Sequence, residues 1–256
     1  MESTDFLNLL KRHQAAPPIS VPPEDAVRVE ATEGTTILAL RYRDGVLVAG
    51  DRRATMGNVM VYDRADKVLC IDDDSVLALS GSPAMAYEIA RLLEISFQHY
   101  RRSQLQVLSL DGKLRILSRL MRENLPMAMQ GIGAVVPIFS SYDAVAETGK
   151  IYFYDVLGAQ FETVDYCTTG SGSPAIRGAL YYQNRWGDEP LAEMEEVRSL
   201  TLILKMLETA AEFDTATGGY RRSAEVFPQV MRITGSGIGS IAEADLEPIY
   251  RNQLQI

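Results

Sequence analysis

Short apolar runs separated by turn residues recur along the chain from residue 35 onward. They predict β-strands at about 36–42, 46–50, 67–71 and 75–80. The turn Arg43-Asp44-Gly45 between the first two runs predicts a hairpin. Apolar residues then recur at helical spacing, which predicts two helices at about 83–102 and 111–130.

The second half of the chain repeats this order of strands followed by helices. Strands are predicted at about 134–142, 150–155 and 164–169, helices at about 174–184 and 191–213, and a further strand at about 226–233. Residues 235–239 predict a turn, and residues 242–253 a terminal helix. Two helix pairs can cover the outer faces of two stacked sheets, so the order predicts an α+β fold with four layers, an α-β-β-α sandwich.

Residues 1–34 differ in composition and predict a leader rather than part of the sandwich. Apolar residues within 6–10 favour a short amphipathic helix. The prolines within 17–23 cannot continue it, because proline lacks an N–H and clashes in a helix interior. We interpret the leader as extended and exposed, and an ordinary flexible terminus is the alternative. No linker divides residues 35–256, which predicts a single domain there.

Composition excludes several classes of function. A net charge of −9 and the scatter of the arginine pairs argue against nucleic-acid binding. Two cysteines, without metal-site spacing or a disulfide framework, indicate a reducing compartment. The two histidines, His13 in the leader and His99 in a predicted helix, argue against a Ser-His-Asp triad and a histidine-rich metal site. No apolar run approaches the roughly 18 residues that span a membrane, and the start lacks the features of a secretory signal. We therefore expect a cytoplasmic protein that does not enter membranes.

Thr35, in the string Gly34-Thr35-Thr36-Ile37, is the candidate nucleophile. A threonine hydroxyl needs an adjacent base. Cleavage between Gly34 and Thr35 would create one, because a freed α-amino group has a pKa of about 7.7–8.0. Asp51 and Lys67 follow, each beside a predicted strand. Taken alone, the same tetrapeptide simply opens a β-strand.

Four segments in order resemble the active β-subunits of the proteasome, which are N-terminal-nucleophile peptidases. The segments are 35–42, 46–55, 66–68 and 77–81. The similarity is greatest to actinobacterial members and extends from about residue 35 to about residue 233. It implies the four-layer fold of that family, with residues 1–34 as a propeptide removed on maturation and residues 35–256 as the peptidase domain.

The resemblance also implies a role for each matching residue. Thr35 Oγ is the nucleophile, the freed Thr35 amine is the base, and Asp51 pairs with Lys67, whose cation would lower the pKa of the amine. The other matching positions are the oxyanion donor Gly81, a serine beside the nucleophile, Ser171, and a motif that closes the site, Asp214 and Thr217. Many members carry serine where Thr217 stands, and threonine keeps the hydroxyl.

Simpler readings of three of these residues remain open. Gly81 alone would be a turn residue, and Asp214 with Thr217 could cap the end of a helix. The string around Ser171 is rich in glycine and serine, as phosphate-binding loops are. It lacks the lysine and the glycine spacing of such loops, which argues against nucleotide binding.

Substrate-binding positions also follow from the resemblance. Thr55 is expected to pair its backbone with an extended peptide. The pocket for the residue before the cut is lined by uncharged residues, namely Ala54, Ala65, Leu69, Leu79 and Tyr87, so we expect cleavage after apolar side chains. Pro83 departs from the family pattern, because it has no N–H to donate to the substrate.

The implied function is that of a catalytic proteasome β-subunit precursor. It would cleave itself between Gly34 and Thr35 and then hydrolyse unfolded polypeptides through an acyl-enzyme on Thr35, without metal or cofactor. The implied partners are further copies in sevenfold rings, rings of a distinct α-subunit and an ATPase ring, with pupylated substrates if the source is actinobacterial. The alternatives are a proteolytically silent ring subunit and the bacterial two-ring relative. The second normally lacks so long a leader.

Overall fold

The computed structural model describes residues 34–57, 59–131, 133–221 and 225–254. The predicted leader, with its helix and its prolines, lies outside these residues. The strands of the described residues are, in chain order, β1 Thr36–Tyr42, β2 Gly45–Gly50, β3 Ala54–Met56, β4 Val59–Tyr62, β5 Val68–Asp72, β6 Ser75–Ala78, β7 Ile138–Asp143, β8 Thr148–Tyr154, β9 Gln160–Thr163, β10 Tyr166–Gly170, β11 Gln229–Thr234 and β12 Gly237–Ser240.

Two five-stranded antiparallel sheets form the centre of the molecule. The first sheet has the order β10-β1-β2-β11-β12 and the second the order β5-β6-β7-β8-β9. The predicted hairpin between β1 and β2 is confirmed, with Tyr42 opposite Gly45. A small separate sheet pairs β3 with β4.

Helices follow the strands in pairs, as predicted. They are α1 Pro83–Gln104, α2 Leu110–Glu123, α3 Leu125–Met129, α4 Ser173–Trp186, α5 Glu196–Phe213 and α6 Glu243–Ile249, with a short 3-10 turn at Leu191–Glu193 and a π-type turn at Tyr250–Leu254. Within the described part of the chain, none of these helices combines the length and the apolar character needed to cross a bilayer.

Three buried clusters define the layers. Between the sheets lie small and β-branched residues such as Ala39, Val48 and Val76. The outer face of the first sheet packs against α4, α5 and α6, and the outer face of the second packs against α1 and α2. The order of layers is therefore helix, sheet, sheet, helix, which confirms the predicted fold class.

Several element boundaries differ from the predictions. The helix predicted over 111–130 breaks at Asn124, because Pro126 cannot continue a helix but fits the first turn of α3. The predicted turn at 235–239 is wrong in extent: only Gly235 and Ser236 form it, and the following residues form β12 against β11. The strand predicted from residue 134 begins at Ile138.

Candidate active site

Thr35, Asp51 and Lys67 lie together at one end of the sandwich, and all three are buried. Thr35 directly precedes β1 and Asp51 directly follows β2, which is its antiparallel neighbour. Lys67 directly precedes β5 and so belongs to the second sheet. The fold therefore brings the ends of three strands, from two sheets, to one point.

Asp51 and Lys67 form a buried ion pair. Lys67 Nζ lies 2.7 Å from Asp51 Oδ1, and it also donates to the carbonyl oxygens of Arg53 at 2.5 Å and Gly34 at 3.3 Å. An ammonium has three N–H groups, so all three are used. Burial lowers the pKa of Lys67 and the charge of Asp51 opposes this, with a net pKa below the ordinary value.

Backbone N–H groups complete the environment of Asp51. Its Oδ1 accepts from Thr36 N at 2.8 Å, and its Oδ2 accepts from Arg53 N and Gly218 N, each at 2.9 Å. A fully buried carboxylate needs such partners to remain charged. Asp51 therefore holds both the lysine and the residue that follows Thr35 in fixed positions.

The Thr35 side chain lies against the peptide bond that precedes it. Thr35 Oγ1 donates to the carbonyl oxygen of Gly34 at 2.6 Å, the same oxygen that Lys67 approaches. With residue 34 attached, the Thr35 nitrogen is an amide, and its N–H points to Ser171 Oγ at 3.4 Å. The hydroxyl, the ammonium and the junction peptide thus meet at a single carbonyl group.

Gly34 is enclosed so closely that a side chain would not fit. A Cβ built on Gly34 would lie inside 3.0 Å of both Thr55 Oγ1 and the Ala216 Cβ. Gly170, after β10, is constrained in a similar way: its φ is +96°, and a Cβ there would collide with the Thr35 carbonyl. Residue 34 precedes Thr35 in the chain, and residue 170 packs against the Thr35 carbonyl from the neighbouring strand. A side chain at either position would force the surrounding atoms to move.

Ser171, Asp214 and Thr217 form a hydrogen-bonded group beside Thr35. Asp214 Oδ2 accepts from Ser171 Oγ and from Thr217 Oγ1, each at 2.6 Å, and Oδ1 accepts from Ala216 N at 3.1 Å. Burial alone would raise the pKa of Asp214, but these three hydrogen bonds and nearby Lys67 lower it below the ordinary value. The carboxylate is therefore anionic at neutral pH.

Thr36 joins this group to Asp51, and the sequence analysis did not identify it. Its Oγ1 lies 2.6 Å from Thr217 Oγ1 and accepts from Gly172 N at 3.1 Å. Because Thr217 donates its only hydroxyl hydrogen to Asp214, Thr36 must be the donor to Thr217. Thr36 therefore binds Asp51 through its backbone N–H and Asp214 through Thr217.

A cleft of about 310 Å³ opens in front of Thr35. Its lining includes five of the residues expected to bind substrate, Ala54, Ala65, Leu79, Pro83 and Tyr87, together with Gly81. The lining also contains the charged residues Arg64 and Asp66, which the sequence analysis left out. Asp66 forms an ion pair with Arg52 at 2.9 Å, and its carbonyl accepts from the Tyr87 hydroxyl.

Leu69 and Thr55 lie outside this lining. Leu69 is half-buried and packs against the cluster under α1 and α2. Thr55 is buried beside Gly34, in the two-stranded sheet formed by β3 and β4. Their roles in substrate binding remain predictions.

Gly81 and Pro83 flank the start of α1. Gly81 has a φ of +101° and pairs with Val135, where a Cβ would collide with the Ala134 carbonyl. Pro83 is the first residue of α1, the helical position that tolerates proline because its N–H would lack an intrahelical partner. No group of three metal-binding side chains is present among the residues that the structure describes.

Comparisons with known proteins identify the family of the chain. A family model described as Proteasome subunit matches residues 31–224. The proteasome subunit beta of Streptomyces griseus is 39% identical over 236 residues, which are 92% of this chain and 81% of that protein. The proteasome subunit beta 2 of Thermomonospora curvata is 40% identical over 213 residues, 83% and 74% of the two chains. A proteasome subunit beta of Jonesia denitrificans is 36% identical over 247 residues, 95% and 79% of the two chains.

Proposed function

The chain belongs to the proteasome subunit family, and on that premise we propose that it is the precursor of a catalytic β-subunit, a threonine peptidase. Residues 1–34 are a propeptide, and residues 35–256 form the peptidase domain. The observation that carries this proposal is the meeting of Thr35 Oγ1 and Lys67 Nζ at the carbonyl oxygen of Gly34. A proteolytically silent subunit has no need for a buried lysine at that carbonyl.

The first reaction is cleavage of the chain by its own threonine. Thr35 Oγ attacks the Gly34 carbonyl carbon, while Lys67 stabilises the negative charge that develops on the carbonyl oxygen. The proton of Oγ passes to the Thr35 nitrogen as the C–N bond breaks, so that this nitrogen becomes a free amine. The resulting ester between Gly34 and Thr35 Oγ is hydrolysed by water, which releases a carboxylate on Gly34 and restores the hydroxyl.

The mature enzyme repeats this chemistry on peptide substrates. The freed Thr35 amine accepts the proton from Oγ, and the nearby Lys67 cation keeps the pKa of that amine low. Oγ attacks the substrate carbonyl carbon, and the Gly81 N–H stabilises the oxyanion. The scissile C–N bond then breaks, the Thr35 amine passes the proton to the departing nitrogen, and the first product leaves an acyl-enzyme on Oγ. Water hydrolyses this ester, which releases the second product and restores the hydroxyl. Ser171, Asp214 and Thr217 hold the amine in place through the Ser171 hydroxyl.

The cleft supports binding of extended, unfolded polypeptides. Its apolar lining, which includes Ala54, Leu79 and Ala86, favours cleavage after apolar side chains. Because Pro83 has no N–H to donate, the substrate backbone loses one hydrogen bond on that side of the cleft. Backbone hydrogen bonds formed by strand addition beside Thr55 then contribute a larger share of the binding free energy.

The proposed assembly is a cytoplasmic particle. Sevenfold rings of this chain stack between rings of a distinct α-subunit, and an ATPase ring supplies unfolded protein. In this arrangement the stacked rings enclose a chamber that contains the clefts. Access to that chamber restricts which proteins are degraded, so the cleft itself needs little selectivity.

The test is the intact mass and N-terminal sequence of the chain after co-expression with its α-subunit partner. We expect a new N-terminus at Thr35 in the wild type and an uncut chain in the variant Thr35→Ala. Hydrolysis of apolar peptides should appear only in the processed protein. An uncut chain in fully assembled wild-type particles would refute the proposal and favour the silent ring subunit.

A further inference from the structure

The edge of β5 is closed by a side chain from the other sheet. β5 is the outermost strand of the second sheet, so its outer N–H and C=O groups have no strand to pair with among the described residues. Gln229 takes that place. Its Oε1 accepts from Lys67 N and from Val68 N, each at 3.0 Å, and its Nε2 donates to the Val68 carbonyl at 2.7 Å.

These three hydrogen bonds fix the orientation of the carboxamide. Two of the partners are N–H donors and the third is a carbonyl acceptor, so only one placement of the amide oxygen and nitrogen satisfies all of them. Gln229 therefore binds the N–H and C=O of Val68 as a neighbouring strand would, and it also binds the N–H of Lys67.

Gln229 lies on the first sheet, directly beside the other half of the candidate site. It pairs with Gly50, and Asp51 is the next residue along the chain. The two sheets approach closely here, because a Cβ on Gly50 would lie only 3.3 Å from the Lys67 Cβ. One glutamine thus connects the strand end that carries Asp51 to the strand start that carries Lys67.

We propose that Gln229 is a positioning residue that sets the placement of Lys67 relative to Thr35 and Asp51. This inference rests on the proposed function. Thr35 and Asp51 belong to the first sheet and Lys67 to the second, so a small shift between the sheets would separate the ammonium from the junction carbonyl. A misplacement of about 1 Å in a catalytic group is enough to lower a rate about a hundredfold.

The first arm of the test measures amide hydrogen exchange in the unprocessed Thr35→Ala chain, where activity plays no part. Gln229→Met keeps the length of the side chain and removes all three hydrogen bonds. We expect the amides of Lys67 and Val68 to exchange about tenfold faster or more, while those of β8 are unchanged. Unchanged protection at Lys67 and Val68 would overturn the inference.

The second arm measures self-cleavage and peptide hydrolysis as a function of pH, with Thr35 intact. We expect Gln229→Met to lower kcat by about 10–100-fold with KM within about twofold, and to change the shape of the pH profile. A fraction of misfolded, inactive protein would lower the apparent kcat, but it would leave the shape of the pH profile unchanged. The control Tyr154→Phe removes a buried hydroxyl that donates to the Leu114 carbonyl at 3.0 Å. Tyr154 does not line the cleft, so this variant should keep the parental profile.

The two arms separate failure of this inference from failure of the proposed function. Faster exchange with a pH profile of parental shape would make Gln229 a purely structural residue and overturn the positioning role. A parent chain that neither cleaves itself nor hydrolyses peptides would refute the proposed function. In that case the exchange arm still decides whether Gln229 holds Lys67 in place.

Discussion

At the scale of single residues, the hydroxyl of Thr36 is the least obvious component of the site. It is fully buried, donates to Thr217 and accepts from Gly172 N. Thr36→Val keeps the shape of the side chain but leaves the Gly172 N–H without an acceptor, a loss of about 1–3 kcal/mol. Because the change lies next to Thr35, the proposed nucleophile, we expect self-cleavage to slow by about tenfold or more, as measured by intact mass over time.

Two further variants control this experiment. Thr36→Ser keeps the hydroxyl and should process at nearly the wild-type rate. Thr168→Val removes another buried threonine hydroxyl, one that donates to the Ile37 carbonyl at 3.0 Å outside the network. Equal slowing in Thr36→Val and Thr168→Val would show that Thr36 contributes only general stability.

Gly34 should control maturation without affecting the mature enzyme. A methyl group at this position would collide with Thr55 and Ala216. Overpacking of this kind costs about 1–3 kcal/mol, and its relief would move the Gly34 carbonyl away from Thr35 Oγ1 and Lys67 Nζ. Gly34→Ala should therefore slow self-cleavage by about 10–100-fold in a time course of intact mass. Protein that has matured should hydrolyse peptides at the wild-type rate, because residue 34 has left.

Gly178 provides the matched control for Gly34. It lies on α4 with open space around its Cβ position, so Gly178→Ala should process normally. Normal processing of Gly34→Ala would contradict the packing described around the junction.

At the scale of elements, the sequence predicted the strands and helices that have a buried face. The strands it missed are short or lack such a pattern. β3 has only three residues, of which the first two are buried, and this is too short a run to show an alternation. All four residues of β4 are exposed, and β9 is exposed over most of its length. β12 begins Gly-Ile-Gly, which is typical of a turn, and it becomes a strand only by pairing with β11.

The residues of the candidate site could be predicted only where they lie in sequence motifs that occur in a recognisable order along the chain. Thr35 directly precedes a predicted strand, Asp51 directly follows one and Lys67 begins one, and the three could be found because they belong to an ordered set of motifs. Gln229 contacts Lys67 across 162 positions of sequence, and Gly218 acts through its backbone N–H. Neither contact leaves a local pattern, because both arise from the packing of distant segments.

At the scale of the whole molecule, the candidate site forms only when the two sheets come together. The first sheet carries Thr35 and Asp51, and the second carries Lys67. The apolar cluster between the sheets holds these two halves against each other. Self-cleavage should therefore report completed folding, because the lysine and the threonine cannot meet before the sandwich has closed.

Glu208 links three parts of the molecule that are remote in sequence. It lies on α5, and its Oε1 accepts from Tyr220 N at 2.7 Å and from the Tyr250 hydroxyl at 2.9 Å. Tyr220 follows the loop that carries Asp214, and Tyr250 belongs to the terminal π-type turn. The two rings stack with centroids 4.4 Å apart. Burial raises the pKa of Glu208 above its ordinary value, although both hydrogen bonds oppose this.

This raised pKa predicts how stability depends on pH. Between the ordinary pKa of 4.5 and the raised pKa, the folded state binds more protons than the unfolded state, so wild-type stability falls as pH rises through that window. Glu208→Gln lacks the charge and should unfold at a Tm higher by roughly 2–4 °C near pH 7, the shift that about 1 kcal/mol produces in a domain of this size. The difference in Tm from wild type should shrink as pH falls and vanish below about 4.5.

Thermal unfolding of uncut Thr35→Ala chains across this pH range measures the difference in Tm. The exposed Glu212→Gln on the same helix is the control. A difference between Glu208→Gln and wild type that stays constant with pH would show that the Glu208 carboxylate carries no burial penalty.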